Sequence, residues 1–134
     1  FLKSEPTFSP PPRWLAYDAY GHTNWRWYNE TGLQHASFFS ELILKHTKSS
    51  DLKVLDWGCG PGRLVRHMPK LLESRKGVIY ASDYNPTTIN WIQSVLKEVQ
   101  FLQNGLAPPL NFESNYFDAV YSVSVLTHLS EAMH

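Results

Sequence analysis

Residues 53–68 read KVLDWGCGPGRLVRHM, and this stretch decides how the rest of the chain is read. The apolar pair Val54–Leu55 leads into Asp56, and Gly58, Gly60 and Gly62 follow at alternate positions. Beyond them Leu64, Val65, Met68, Leu71 and Leu72 stand at helical spacing, which predicts a strand over 53–57 and a helix over 63–72. Pro69 lies inside that helical pattern and must kink it or end it. A glycine-bearing turn between strand and helix lets backbone N–H groups approach a ligand closely, and a helix N-terminus beyond it adds a positive dipole end. The stretch therefore predicts a bound, nucleotide-like ligand.

Two common ligand loops fit poorly. A dinucleotide fingerprint, G-x-G-x-x-G, begun at Gly58 and Gly60 needs glycine at position 63, where the chain has Arg63. The phosphate loop of nucleotide hydrolases, G-x-x-x-x-G-K-[ST], is absent. What remains is an acid followed by three alternate glycines.

Outward from the loop the chain alternates between strand and helix. Strands are predicted at 78–82, 99–102 and 117–123, and Asn85 with Pro86 opens a helix whose buried side is Ile89, Ile92 and Leu96. This order predicts an α/β fold built on a parallel sheet. Before the loop, residues 1–12 are proline-rich and read as an extended arm. An aromatic run follows (Trp14, Tyr17, Tyr20, Trp25, Trp27, Tyr28), then a helix whose capping box is Thr31 and Gln34. Leu33, Ala36, Phe39 and Ile43 form its apolar face, and it runs to about Lys48. The expected organisation is an arm and capping helix over 1–50 and a ligand-binding unit over 51–134.

Asp56, Gly58, Gly60 and Gly62, with the strand before and the helical pattern after, resemble the first motif of the class I S-adenosylmethionine-dependent methyltransferases. The spacing of GCGPGRLVRHMP, SDYNP, PPLNF and SVLTHLSE is most similar to bacterial methyltransferase-domain proteins of the type 11/12 kind. The resemblance covers residues 51–134 and implies a Rossmann-like parallel sheet with flanking helices, of which this chain carries strands one to four. It also implies S-adenosyl-L-methionine as cofactor. Asp56 would hold the ammonium, while Gly58, Cys59, Gly60 and Gly62 leave room for the methionine and ribose. Asp83 would take the ribose hydroxyls, as an acid does in nucleotide folds, and Tyr84 would flank the adenine. Asn104, or Gln103 in its place, would meet the adenine amino group, and the backbone at Ser122 and Val123 would lie beside the methionine. His128 suggests a general base, although a packed or hydrogen-bonded histidine behind the site is the preferred reading. His22 and Tyr28 are candidates for cofactor or substrate contact, set against plain packing of the aromatic run.

The implied activity is methyl transfer to a small-molecule acceptor, with no catalytic residue assigned. A non-catalytic cofactor-binding or docking module is the second reading, and a nicotinamide-dependent oxidoreductase, disfavoured by Arg63, is the third. Lysine plus arginine balance aspartate plus glutamate at 12 each, so no basic footprint points to nucleic acid. No apolar run reaches the ~20 residues of a membrane span. A single Cys59 fits a reducing, cytoplasmic compartment, and the six histidines show no zinc-type spacing, so no metal is expected. The start at Phe1 and the end at His134 favour a fragment of a longer enzyme. The family's three further strands are not in the chain. The fourth strand is thus expected at a sheet edge, open to a homodimer or to cover by the N-terminal aromatic segment.

Overall fold

The computed structural model describes residues 1–129; the last residues of the fourth motif, 130–134, lie outside the described part. Four parallel strands form one sheet: β1 (Lys53–Trp57), β2 (Val78–Asp83), β3 (Val99–Gln103) and β4 (Ala119–Tyr121), in the order β3-β2-β1-β4. Asp56 is in register with Ala81 on one side and Tyr121 on the other. The first three strands match expectation to within a residue. β4 is much shorter than the predicted 117–123, and it ends before Ser122 and Val123.

Alternation along the strands divides the sheet into two unlike faces. Val54, Ile79, Ala81, Val99 and Tyr121 share one face and are buried in the main core with Ile43, Met68, Leu72 and Ile92. The helices α2 (Trp25–His46), α3 (Met68–Leu71) and α4 (Pro86–Val95) supply those partners, with Leu72 directly after α3. On the other face Leu55 is buried, whereas Val120 is 55% exposed and Val78 41% exposed. The β3–β4 connection covers part of that face with an aromatic cluster. Tyr80 meets Phe112, Tyr116 and Phe117 edge-on, and the Tyr80 and Tyr116 hydroxyls are 2.8 Å apart.

Three helical expectations need correction. The long helix starts at Trp25, six residues before the supposed Thr31–Gln34 capping box. Its cap is Asn24, whose side chain accepts the Trp27 N–H at 3.1 Å. Thr31 lies inside the helix and donates to the Trp27 carbonyl. Leu33 is 45% exposed, so the buried stripe is Tyr28, Gly32, Ala36, Ser40 and Ile43. The helix predicted over 63–72 is broken into a 3-10 turn, Val65–His67, and the four-residue α3. Pro69 has no N–H to donate and sits in the first turn of α3, where that loss costs nothing. A further helix, α1 (Arg13–Tyr20), occupies part of the aromatic run; Gly21 ends it in the left-handed conformation, φ 72°. By contrast α4 begins as expected, with the Asn85 side chain accepting from Thr87 and Thr88 and Pro86 next.

Candidate functional site

Successive parallel strands run from β1 outward to β3, and the chain then returns to place β4 on the other side of β1. Ligands in open α/β sheets bind beyond the strand ends at such a reversal. The glycine loop is there. Gly58, Gly60 and Gly62 have φ of 77°, 51° and 79°, a region in which L side chains are strained. Two of them also have no room. A Cβ on Gly58 would come within 2.2 Å of Val125, and one on Gly62 within 2.1 Å of Ile92. Gly60 differs, because only the Tyr20 hydroxyl, 3.9 Å away, comes near its Cβ position. The loop thus packs tightly at both ends and leaves space at its centre.

Asp83 joins β2 to that loop. Its Oδ2 accepts the Gly60 N–H and its Oδ1 the Asn85 N–H, both at 2.9 Å. The Gly58 and Cys59 N–H groups donate to the Ser82 carbonyl at 2.8 and 2.9 Å. A carboxylate has about four lone-pair sites, so Asp83 keeps one on each oxygen. The positive helix end expected beyond the loop is missing, because a three-residue 3-10 turn stands there.

Asp56 is 4% exposed beside Tyr121. Burial, aided by the neighbouring Asp83, pushes its carboxyl up to about 7, against the opposing pulls of Tyr121 and Arg63. Burial likewise raises the Tyr121 phenol, whose hydroxyl faces Asp56 without a hydrogen bond of regular geometry. A buried acid of this kind favours a bound cation. The Cys59 thiol is buried and pushed up, so it is inert; its contribution is the backbone N–H.

Tyr84 is 58% exposed on the rim. The Asn104 N–H donates to the Asp83 carbonyl, while its side-chain N–H donates to Gly105 and its Oδ1 is buried without a partner. The Gln103 amide donates to the Tyr84 carbonyl at 3.3 Å, so both adenine candidates lie against β2's end. Ser122 and Val123 are half-buried just past β4. His128 is exposed in a 3-10 turn, which corrects the expectation of a packed histidine there.

The aromatic segment settles on the loop, not on the β4 edge. Tyr28 is 1% exposed and donates to the Pro61 carbonyl at 2.6 Å, so it holds the loop from beneath. Burial pushes its phenol up to about 12. His22 accepts the Asn24 N–H and meets Trp27 edge-on, a local role. Gly32 is pressed against the Arg63 backbone, where a Cβ would lie 2.1 Å from the carbonyl oxygen. The sequence reading named Tyr20 and Arg63 but gave them no role in the site, and it did not consider Gly32. Tyr20 carried one usable signal: it is followed by Gly21 and then Asn24, a helix stop and a helix start that mark a hairpin. Among the described residues there is no cluster of three or more metal-ligating side chains.

Comparison with known proteins agrees with this geometry. A TehB-like SAM-dependent methyltransferase from Corynebacterium glutamicum is 24% identical with a TM-score of 0.55, over 72% of this chain and 48% of its own. The plantazolicin methyltransferase BpumL, solved with S-adenosylhomocysteine, is 21% identical with a TM-score of 0.56, over 89% of this chain and 44% of its own. DesVI of Streptomyces venezuelae is 19% identical with a TM-score of 0.53, over 69% and 36%. At these identities the likeness shows the fold, and this chain spans less than half of each structure. No curated protein matches. Residues 54–134 match the family described as the methyltransferase domain, and the chain belongs to that family.

Proposed function

We propose that the chain binds S-adenosylmethionine at the glycine loop and serves methyl transfer to a small-molecule acceptor. The observation that carries this reading is a pair of buried acids at the loop: Asp83 is bound to the N–H of the open Gly60, and Asp56 is near enough to Asp83 for their charges to interact. The residues fit this cofactor: Asp56 gains a cation, the ammonium, and Asp83 offers its two remaining lone-pair sites to the ribose hydroxyls. Gly58, Cys59, Gly60 and Gly62 admit the ligand's backbone side, and Tyr84 with Asn104 or Gln103 bounds the adenine. The Ser122–Val123 backbone closes the methionine side. When bound, the cofactor supplies an electrophilic methyl group on a sulfonium, so the chain's task is to orient it and exclude water. Solved relatives in complex with S-adenosylhomocysteine support the same cofactor. The absent helix dipole is no obstacle, since this ligand carries no phosphate.

Calorimetry with S-adenosylmethionine, S-adenosylhomocysteine and NAD tests the reading; tight binding of NAD alone overturns it. Incorporation of labelled methyl groups into a metabolite extract separates an enzyme from the second reading, a docking module. The observation favouring that second reading is the outer edge of β4, which has no strand partner among the described residues. A homodimer through this edge and a reducing, cytoplasmic setting belong to the proposal as well. No described helix is long and apolar enough to cross a membrane.

A further inference from the structure

An amino-acid head group carries two charges, and the cofactor reading above, on which this inference rests, accounts for the ammonium alone. A carboxylate taken out of water also needs a donor, preferably with positive charge nearby. Tyr20 is the one side chain close to the Cβ position of Gly60, with its hydroxyl 3.9 Å away. Asp56 and Cys59 are among the groups near enough to act on it electrostatically, so it lies in the neighbourhood of the acid assigned to the ammonium. No hydrogen bond engages its hydroxyl among the described residues, in contrast to Tyr28, whose hydroxyl is spent on Pro61. Its ring is held by Trp27 at 6.1 Å and Tyr28 at 5.7 Å, which fixes where the hydroxyl points.

Behind Tyr20 stands Arg63. This guanidinium is 9% exposed and has no carboxylate within ion-pair distance among the described residues. It donates to Thr31 Oγ1 at 3.0 Å, faces His35 Nδ1 at 3.4 Å, and lies 5.8 Å from the Tyr20 ring centre and 5.3 Å from that of Trp27. Its charge acts on Asp56, yet a buried cation without a direct ion pair is costly and favours a supplied anion. Burial also raises the Tyr20 phenol far above its usual range, so the hydroxyl keeps its proton and acts as a donor.

We propose that the Tyr20 hydroxyl receives the α-carboxylate of the bound cofactor, with Arg63 supplying the compensating positive charge, while Asp56 faces the ammonium. Tyr20 thereby selects for a complete amino-acid head group and Arg63 is a positioning residue.

The test is calorimetric and compares two nucleosides. S-adenosylhomocysteine carries both head-group charges; 5′-(3-aminopropylthio)-5′-deoxyadenosine keeps the ammonium and lacks the carboxylate. Tyr20→Phe removes one oxygen atom, and Tyr17→Phe, on the same helix with its ring 65% exposed, is the control. Tyr20→Phe should weaken S-adenosylhomocysteine about tenfold or more, the size of a hydrogen bond to a charged acceptor, and leave the aminopropyl compound unchanged. Tyr17→Phe should change neither. Equal weakening of both compounds by Tyr20→Phe, or no weakening, overturns the assignment. A wild-type chain that binds neither compound overturns the cofactor reading itself, and this assignment with it. Thermal unfolding of each variant checks that the isosteric change leaves the fold in place.

Discussion

The Asp83 carboxylate accepts the Gly60 N–H at 2.9 Å, so the acid ending β2 and the central glycine of the loop after β1 are one mechanical unit. Asp83 therefore has a structural role in addition to the ribose contact proposed for it. Asp83→Asn should lower stability by about 1–3 kcal/mol, because one backbone donor in a part-buried place loses its charged acceptor. S-adenosylhomocysteine affinity should fall at least tenfold in calorimetry. Full affinity in the variant would remove the ribose assignment.

Gly62 is constrained twice, by its φ of 79° and by Ile92, whose Cδ1 would lie 2.1 Å from an added Cβ. Gly62→Ala should cost roughly 2–4 kcal/mol, combining left-handed strain with overpacking. Ile92→Val removes that methyl group. In a denaturation double-mutant cycle it should cost less in the Gly62→Ala background than in wild type. Strict additivity would show that strain at φ is the whole effect.

The raised Asp56 carboxyl has a definite sign. The folded chain keeps the Asp56 proton up to about pH 7, whereas the unfolded chain releases it near 3.8. Stability is thus lost as pH rises between those values, and the loss is complete above about 7. Asp56→Asn should be more stable than wild type at pH 8, by roughly 2–4 kcal/mol, and should show no such gain near pH 4. Binding an ammonium favours the ionised carboxylate, so wild-type affinity for S-adenosylhomocysteine should improve as pH rises to about 7 and then level off. Calorimetry of Asp56→Asn should show a flat profile over that range. A persistent slope there assigns the proton to another group.

Tyr28→Phe leaves the Pro61 carbonyl without its buried donor. The expected loss is about 1–3 kcal/mol in chemical denaturation. The ratio of affinities for S-adenosylhomocysteine and its aminopropyl analogue should stay as in wild type. A changed ratio would move head-group recognition from Tyr20 to Tyr28.

β4 pairs with β1 along one edge only, and Val120 is 55% exposed beside the open one. Static light scattering should detect association that grows with concentration, and Val120→Lys should reduce it without lowering the unfolding midpoint. A monomer at all concentrations would refute the edge as a contact surface.

How much of this was legible beforehand depended on where the determining contacts lie. β1, β2 and α4 could be read because their signals are local: an apolar run, an Asn–Pro start and glycines at fixed offsets. The glycine loop could be read for the same reason. The Thr31–Gln34 box was misread because the same pattern fits a helix interior, and the Asn24 cap together with the packing of Tyr28 shows that the helix begins earlier. Pro69 warned of a break but could not say that the helix beyond the loop would shrink to fragments. The hairpin after Tyr20 was signalled locally, but its approach to a glycine 40 positions later was not. Arg63 owes its surroundings to Thr31, His35 and Trp27, about 30 positions earlier, which no short-range pattern encodes.

The two helices ahead of the sheet are not equivalent in what they can do. α2 is riveted to the loop, since Gly32 lies flat on the Arg63 backbone and Tyr28 is tied to Pro61. α1 is joined to it at Gly21, whose Cβ position meets no atom within 4 Å and whose φ of 72° suits glycine. Gly21 is thus the corner at which the chain reverses between the two helices, and its left-handed turn brings the Tyr20 end of α1 back to Gly60, with Leu15 and Ala16 anchoring the helix in the interior.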